Sequence, residues 1–553
     1  MMNLDQTMVE ALENAARDGK EDRGYVFQRR NESIFVSYSD LWDKARAYAG
    51  YYQQGGVKPG EYVALILPTS PEFAYCYFGL MLCGAIPTAL ASPMFGDPRE
   101  GFNRLNKIGE LLEIKHIVLN KKEYSLIGNY LDAYEVLLSE QLPADQVPIE
   151  SVHRPLPDDI AIIQATSGST GLSKAVPLSH RNLIANVQQL GDTAKASSDT
   201  VIVSWLPLYH DFGLIGQFLS SIYWQMKCVL MSPFDFMKRP LAWLQLVSDH
   251  KATITASPNF ALSYTVARVG KDKLNDLDLS SLELMVVGSE PVSMDTLRRF
   301  GEHFESTGFK SRTFTPAYGG AECCLLLAMK EVSEDLDSDV ISRSALSKDG
   351  LIEPPKDDHD CIEFADCGIP AIEAAVQIRD SNGIEINDNH AGHIWWSSPS
   401  LTRGYIGQEE LNTKEFVDGW FDSGDQGYLK NGRVFVTGRY KEIVIVRGQN
   451  YIPMDFEAAA AEVDGTKEGR VVAFGDVDDE TCTEELILVC GIDMTAGHDQ
   501  KKLEVAVKSH VADKTGITPY RVRFIPDKMM PRTTSGKLQR GKVKDLYLSM
   551  KKQ

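Results

Sequence analysis

The chain has 553 residues, 43% of them hydrophobic and 24% charged, which excludes a disordered polymer and a small stapled scaffold. The 57 Lys+Arg against 77 Asp+Glu leave a formal charge of −20, which argues against a general binder of nucleic acid or anionic membrane. At about 150 residues per domain, the length allows three or four units.

From the N-terminus, residues 1–24 are polar and helix-like, without the apolar core of a signal peptide. The longest apolar run, 75–91, carries Gly79, Gly84 and Pro87. It falls short of the ~20 residues that span a bilayer. Nine cysteines, at positions 76, 83, 228, 323, 324, 361, 367, 482 and 490, contain no C-x-x-C pair, so reduced and mostly buried thiols are expected. The expectation is a soluble cytoplasmic protein with no membrane insertion and no nucleic-acid partner.

Strand-length apolar runs at 62–67, 160–165, 201–206, 228–231, 254–256 and 284–287 alternate with helix-length segments, the pattern of parallel sheets with crossover helices. Residues 330–363 are acidic, contain Pro354-Pro355 and show little periodicity; they read as an insertion or long surface excursion. After about residue 365, alternating strands with turn signals at Asp380-Ser381-Asn382-Gly383 and Lys430-Asn431-Gly432 predict antiparallel pairing. Past Gly438 a compact αβ-type pattern reads as a separate small domain. Its end, 501–553, holds 14 Lys+Arg and 4 Asp+Glu, a local +10. Such a tail fits a module that meets phosphates or an acidic partner, though without motifs a solvated basic face is the commoner reading.

Four segments carry chemistry. Thr166-Ser167-Gly168-Ser169-Thr170-Gly171-Leu172-Ser173-Lys174 follows an apolar run. Its glycines free backbone N–H groups to face an anion, its hydroxyls add donors and its lysine adds charge, as in a phosphate cradle. It is not a Walker A loop, because Ser173 stands where the second glycine is needed. Alone it could be a flexible solvated connection; its position after a buried strand favours phosphate. In Tyr318-Gly319-Gly320-Ala321-Glu322, a tight turn holds an aromatic face beside a carboxylate, suited to a base and a hard cation. Alone, a packed Tyr with a helix-capping Glu would be the commoner explanation. In Gly419-Trp420-Phe421-Asp422-Ser423-Gly424-Asp425, with Gly438-Arg439-Tyr440-Lys441 beyond, Asp425 can accept from ribose hydroxyls and Arg439 can donate to ribose or phosphate. Last, Lys537 lies on the Gly-bearing segment Thr533-Thr534-Ser535-Gly536, where an ammonium can reach charge developing at phosphorus or simply be solvated.

In this order and spacing the four segments resemble the adenylate-forming superfamily of acyl-CoA synthetases, luciferases and nonribosomal-peptide adenylation domains. The resemblance covers nearly the whole chain. It implies an α/β fold with a large N-terminal domain, 1–438, of parallel-sheet αβα subdomains plus a small β-barrel-like subdomain. A small mobile α+β C-terminal lid, 439–553, completes it. It also implies ATP and Mg²⁺ as cofactors. Thr166, Ser167, Gly168, Ser169, Thr170, Gly171 and Lys174 would form the phosphate loop, Tyr318 with Gly319 would flank the adenine, and Gly288, Ser289 and Glu290 would add to the nucleotide site. Glu322 would hold Mg²⁺, Asp425 the ribose, and Arg439 would sit near the ribose. Lys441 would be the hinge and Lys537 the lysine of the adenylating step. His210 is a candidate lining residue near the acyl carboxylate, or a packed histidine. Ser173 departs from the family's usual proline.

Segments such as Ser204-Trp205-Leu206-Pro207-Leu208-Tyr209-His210-Asp211 and Gly288-Ser289-Glu290-Pro291 resemble the fatty acyl-AMP ligases in particular. Those enzymes carry an insertion after the Glu of the aromatic-Gly turn, associated with transfer to an acyl carrier protein rather than to CoA. Here 46 positions separate Glu322 from Gly368, room for 330–363. The resemblance therefore implies a fatty or other carboxylic acid as substrate and an acyl carrier protein as partner. An acyl-CoA synthetase and an inactive adenylate-binding module are the alternatives. Trp224, Gln225, Ala256 and Ser257 stand where long-chain ligases are expected to carry smaller residues, which points to a shorter, branched or unusual acid.

Overall fold

Strands that are apolar along their whole length, such as Leu284–Val287 with all four residues buried, assemble into a nine-stranded sheet. Burial on both faces is the condition of a parallel sheet covered by crossover helices. The central strands, in the order Phe314–Tyr318, Leu284–Val287, Ile254–Ser257, Val201–Ser204, Lys227–Met231 and Gly24–Arg29, are mutually parallel, and antiparallel strands close both edges. A second sheet of four parallel strands runs Ile86–Ala89, Tyr62–Ile66, His116–Leu119, Glu135–Leu138. The computed structural model describes residues 2–29, 32–95, 97–142, 146, 148–167, 173–332, 334–446, 449–467, 469–477, 484–534 and 536–551. Gly168, Ser169, Thr170 and Gly171 of the expected phosphate loop lie outside the described residues.

The long apolar run divides in two. Ser70 caps helix Pro71–Leu82 by accepting from the Phe73 N–H, and Gly84, at φ 87°, turns the chain into strand Ile86–Ala89. Among the described residues no helix is long and apolar enough to cross a membrane. The run at 160–165 is also a strand, but it does not join a parallel sheet. Ile160–Ser167 pairs antiparallel with Ser173–Ser179, which sets Thr166 opposite Lys174 at the end of a two-stranded ladder.

Beyond residue 365, Ala375–Arg379, Gly392–Ser397, Phe416–Val417, Trp420–Lys430 and Arg433–Arg439 form a five-stranded antiparallel sheet. Asn431 and Gly432, at φ 54° and 75°, make the two-residue turn whose twist suits a hairpin.

The acidic segment is more ordered than its composition implies. Ser338–Ser342 pairs with Cys361–Ala365, and Ser342 caps the helix Arg343–Asp349 between them. Ile341, Leu346, Ile362 and Phe364 share an apolar cluster with Tyr428, Phe435 and Ile452. Lys430 pairs with Asp339, and Arg433 with Glu334 and Asp366, seating the segment on the antiparallel sheet.

The C-terminal domain sets a three-stranded sheet, Val471–Val477, Glu484–Ile492 and Arg521–Pro526, beside helices Pro453–Ala461, Gln500–Thr515 and Arg540–Lys551. Much of its basic charge is used within the molecule. Arg540 pairs with Glu442 and Glu457, Lys514 with Glu462, Lys551 with Asp476, and Lys542 reaches Glu100 of the large domain.

Candidate active site

The carboxyl ends of the parallel strands open into a cavity of about 740 Å³. Strand Phe314–Tyr318 delivers Tyr318 to its wall, and the chain then turns back across itself at Gly319. A Cβ at Gly319 would stand 1.9 Å from the Leu325 carbonyl oxygen and 2.9 Å from the Leu327 nitrogen, so only glycine permits this crossing. Gly319→Ala is expected to destabilise the large domain by about 3 kcal/mol through overpacking against backbone. An unfolding midpoint equal to that of the wild type would contradict this.

Three groups lock around Tyr318. Its hydroxyl donates to Asp425 Oδ2 at 2.8 Å and accepts from Trp396 Nε1 at 3.2 Å, while Arg439 Nε lies 3.2 Å from Asp425 Oδ1. Burial pushes the Asp425 carboxyl up, against the opposing pull of Arg439. A carboxylate has about four lone-pair sites, so Asp425 keeps acceptor capacity beyond these two contacts. Asp425 itself stands just behind the cavity wall, whereas Arg439 and Lys441 line it.

The short helical turn Ala321–Cys323 presents Glu322. Its carboxylate accepts from the Tyr405 hydroxyl at 2.8 Å, and its carbonyl is tied to the Thr402 N–H at 2.7 Å. Burial raises the Glu322 carboxyl above the usual range. The same Tyr405 hydroxyl lies 3.2 Å from Glu415 Oε2, which in turn pairs with Lys174 Nζ at 3.1 Å. Lys174 also sits 4.1 Å over the Tyr405 ring, a cation–π contact. The lysine of the expected phosphate loop is thus held at the cavity by a carboxylate and an aromatic face.

His210 lines the cavity with its Nδ1 2.6 Å from Asp211 Oδ1. The same Nδ1 also receives the Phe212 N–H at 3.3 Å. Burial pushes the Asp211 carboxyl up, but His210, Lys537 and the Phe212 N–H together hold it below its ordinary value. Gly288 and Ser289, at the end of strand Leu284–Val287, also border the space. Glu290 does not; its carboxylate accepts from the Phe260 N–H at 2.6 Å.

Lys537 enters from the C-terminal domain. Its backbone forms a tight turn with Thr533, accepting from the Thr533 N–H at 2.7 Å and donating to Thr533 Oγ1 at 3.1 Å. The turn is docked on the large domain: Tyr209 donates to the Thr534 carbonyl at 3.1 Å, and Gly536 packs on the Phe260 ring. Burial pushes the Lys537 ammonium below the ordinary lysine value, although Asp211 and Glu290 oppose this.

Thr166, Lys174, His210, Gly288, Ser289, Tyr318, Gly319, Glu322, Arg439, Lys441 and Lys537 therefore reach one cavity, while Asp425 and Glu290 stand behind it. Sequence reasoning missed Tyr405, Glu415 and Asp211. The first two lie far along the chain from Lys174 and Glu322, which they touch, and no spacing rule links them. Asp211 had one signal, its adjacency to His210.

Residues 12–406 match the family model described as AMP-binding enzyme. A Caulobacter vibrioides protein named, provisionally, an acyl-CoA synthetase is 30% identical over 98% of this chain and 95% of its own. The medium-chain-fatty-acid–[acyl-carrier-protein] ligase JamA of Moorena producens is 28% identical over 98% of this chain and 95% of its own. A solved structure from studies of fatty acyl-adenylate ligases of E. coli and L. pneumophila superposes with a TM-score of 0.90 at 30% identity, covering 98% of both chains.

Proposed function

This chain belongs to the AMP-binding enzyme family, and from that premise we propose that it joins a fatty acid to AMP with release of pyrophosphate. It then passes the acyl group to the phosphopantetheine thiol of an acyl carrier protein. The observation that carries this reading is the convergence on one cavity of Lys174, Tyr318, Glu322 and Arg439 with Lys537 of the C-terminal domain.

In the first step a carboxylate oxygen attacks the α-phosphorus of ATP and the bond to pyrophosphate breaks. In the second, the thiolate attacks the acyl carbonyl and AMP leaves. The partners of the first step are both anions, so catalysis is chiefly charge compensation and alignment. Lys537 bridges carboxylate and phosphate oxygens, and Lys174 leaves Glu415 to meet the outgoing phosphates. Tyr318 stacks on the adenine, Asp425 accepts from the ribose, and Arg439 donates beside it. Lys441, exposed at the junction, is the hinge about which the lid turns so that the second step can admit the thiol.

Glu322 fits a hard divalent cation. Its carboxylate borders the cavity, is pushed up by burial, and forms no ion pair among the described residues. No cluster of three ligating side chains surrounds it among those residues, so Mg²⁺ would take its other ligands from phosphate and water. When bound, the ion supplies charge neutralisation to the phosphates.

JamA, a carrier-protein ligase, supports the carrier as acceptor. So does the bidentate pair that ties the inserted helix to the lid, Arg343 Nε to Asp455 Oδ2 at 2.6 Å and Nη2 to Oδ1 at 3.1 Å. The Caulobacter relative favours the second reading, an acyl-CoA synthetase. Pyrophosphate release measured over a panel of carboxylic acids, with CoA and carrier protein supplied separately, tests both steps. Release with fatty acids and loading of the carrier are expected. No release with any acid would sink adenylation and leave an inactive adenylate-binding module; CoA turnover as fast as carrier loading would sink the acceptor assignment.

A further inference from the structure

We infer that Trp224 is the floor of the acyl site and limits it to chains of medium length; this rests on the adenylating reading of the same cavity. Away from Lys537 the cavity continues as an apolar slot on one face of the nine-stranded sheet. Ile202, Ile254, Val286 and Ala317 form one wall, and Leu190 of the facing helix His180–Thr193 and its C-cap residue Ala194 belong to the other. Ile254 is in register with Leu284, four residues before Gly288 at the catalytic end. At about 3.3 Å per residue of parallel strand, the slot is therefore about 13 Å long.

Trp224 stands at its far end, just before strand Lys227–Met231 begins. Its position is fixed from two sides. The indole Nε1–H donates to the Val187 carbonyl at 2.8 Å, and the ring lies flat on Gly191, where a Cβ would come within 2.0 Å of Cε2. A glycine inside a helix is unfavourable, and here it makes room for the indole. Half-buried Ala194 and Ala196 and the buried Met226 line the cavity beside it, and the indole is the largest of these side chains at that end. Of the four positions singled out by resemblance, Trp224 alone lines the cavity; Gln225, Ala256 and Ser257 do not. An extended chain gains about 1.2 Å per bond, so the slot takes about ten methylenes before the indole blocks it.

The test compares pyrophosphate release with saturated acids from octanoate to octadecanoate in the wild type, Trp224→Ala and Trp224→Phe. The wild type is expected to use decanoate at least about tenfold better than hexadecanoate, as kcat/KM. Trp224→Ala should shift the optimum several carbons longer, and Trp224→Phe, which keeps an aromatic floor, should retain the cutoff. As a readout apart from turnover, the melting temperature should rise more with decanoyl- than with hexadecanoyl-sulfamoyladenosine in the wild type, and the order should reverse in Trp224→Ala. An unchanged chain-length profile in a folded Trp224→Ala, or a wild type that uses both acids equally, overturns the floor assignment and leaves adenylation standing. No release and no melting shift with any acyl chain overturns the adenylating reading, and this inference with it.

Discussion

Replacing Lys537 by alanine is expected to slow pyrophosphate release from acid and ATP by about 10²–10³-fold, the usual cost of losing one donor aimed at developing charge. Acyl transfer from a supplied acyl-adenylate should survive, because the charge between two anions has by then been resolved. The split between the two half-reactions is what distinguishes a reacting-site lysine from one that merely docks the lid. Docking has its own contacts, through Tyr209 to Thr534 and Gly536 on Phe260, and neither uses the ammonium. Pyrophosphate release at the wild-type rate in a folded Lys537→Ala protein would reject the assignment.

The same lysine predicts the alkaline limb of the reaction. Burial lowers its pKa, opposed by Asp211 and Glu290 and assisted by Arg439. The reaction needs the ammonium, so kcat/KM for ATP should fall as pH rises through a value below the ordinary lysine range of about 10.4. Lys537→Arg cannot lose its proton in that range and should abolish this limb even if its rate is low. An identical limb in the arginine variant would place the titration on another group.

How much of this was legible beforehand follows from the physics of each element. The runs at 254–256 and 284–287 fall within observed strands because a doubly covered parallel strand is apolar on both faces, a signal that survives without context. The turn at Asn431-Gly432 was legible because few residues adopt positive φ at both positions. The inserted segment was not. Its apolar residues, Ile341, Leu346 and Ile362, are scattered among acids that neutralise arginine and lysine of the neighbouring sheet, so composition suggested solvent where there is an interface. At the site, local turn chemistry made Tyr318, Glu322 and Asp425 candidates, and the resemblance alone attached roles to them. The partners that hold such residues are tertiary: Tyr405 shared between Glu322 and Glu415, and Trp396 on Tyr318. Glu290 shows the converse, since a motif match placed it at the nucleotide while the fold uses it to receive a backbone N–H.

Arg343→Ala is expected to raise turnover with free CoA relative to carrier loading, because this side chain is the polar tie between the insertion and the lid. Besides its fork on Asp455, its Nη1 donates to the His359 carbonyl at 2.7 Å, and both partners of the ion pair are nearly buried. Breaking a buried pair leaves its survivor uncompensated, a cost of about 3–5 kcal/mol when the charge cannot escape. Burial pushes the Asp455 carboxyl up and Arg343 opposes it, so losing Arg343 weakens the charged form rather than only stranding it, and we expect a coupling of about 1–2 kcal/mol in a double-mutant cycle with Asp455→Asn. Since 1.4 kcal/mol is a factor of ten, the CoA rate should rise by about tenfold if the tether is what disfavours the pose that accepts free CoA. A point substitution is the better probe than excising 330–363. Removal of that segment would strip Asp339 from Lys430 and the Tyr428 hydroxyl, and Glu334 from Arg433, confounding lid freedom with damage to the sheet beneath. A folded Arg343→Ala protein whose CoA rate stays at the wild-type level, with Asp455→Asn behaving the same way, would show that the insertion selects the acceptor by some route other than this tie.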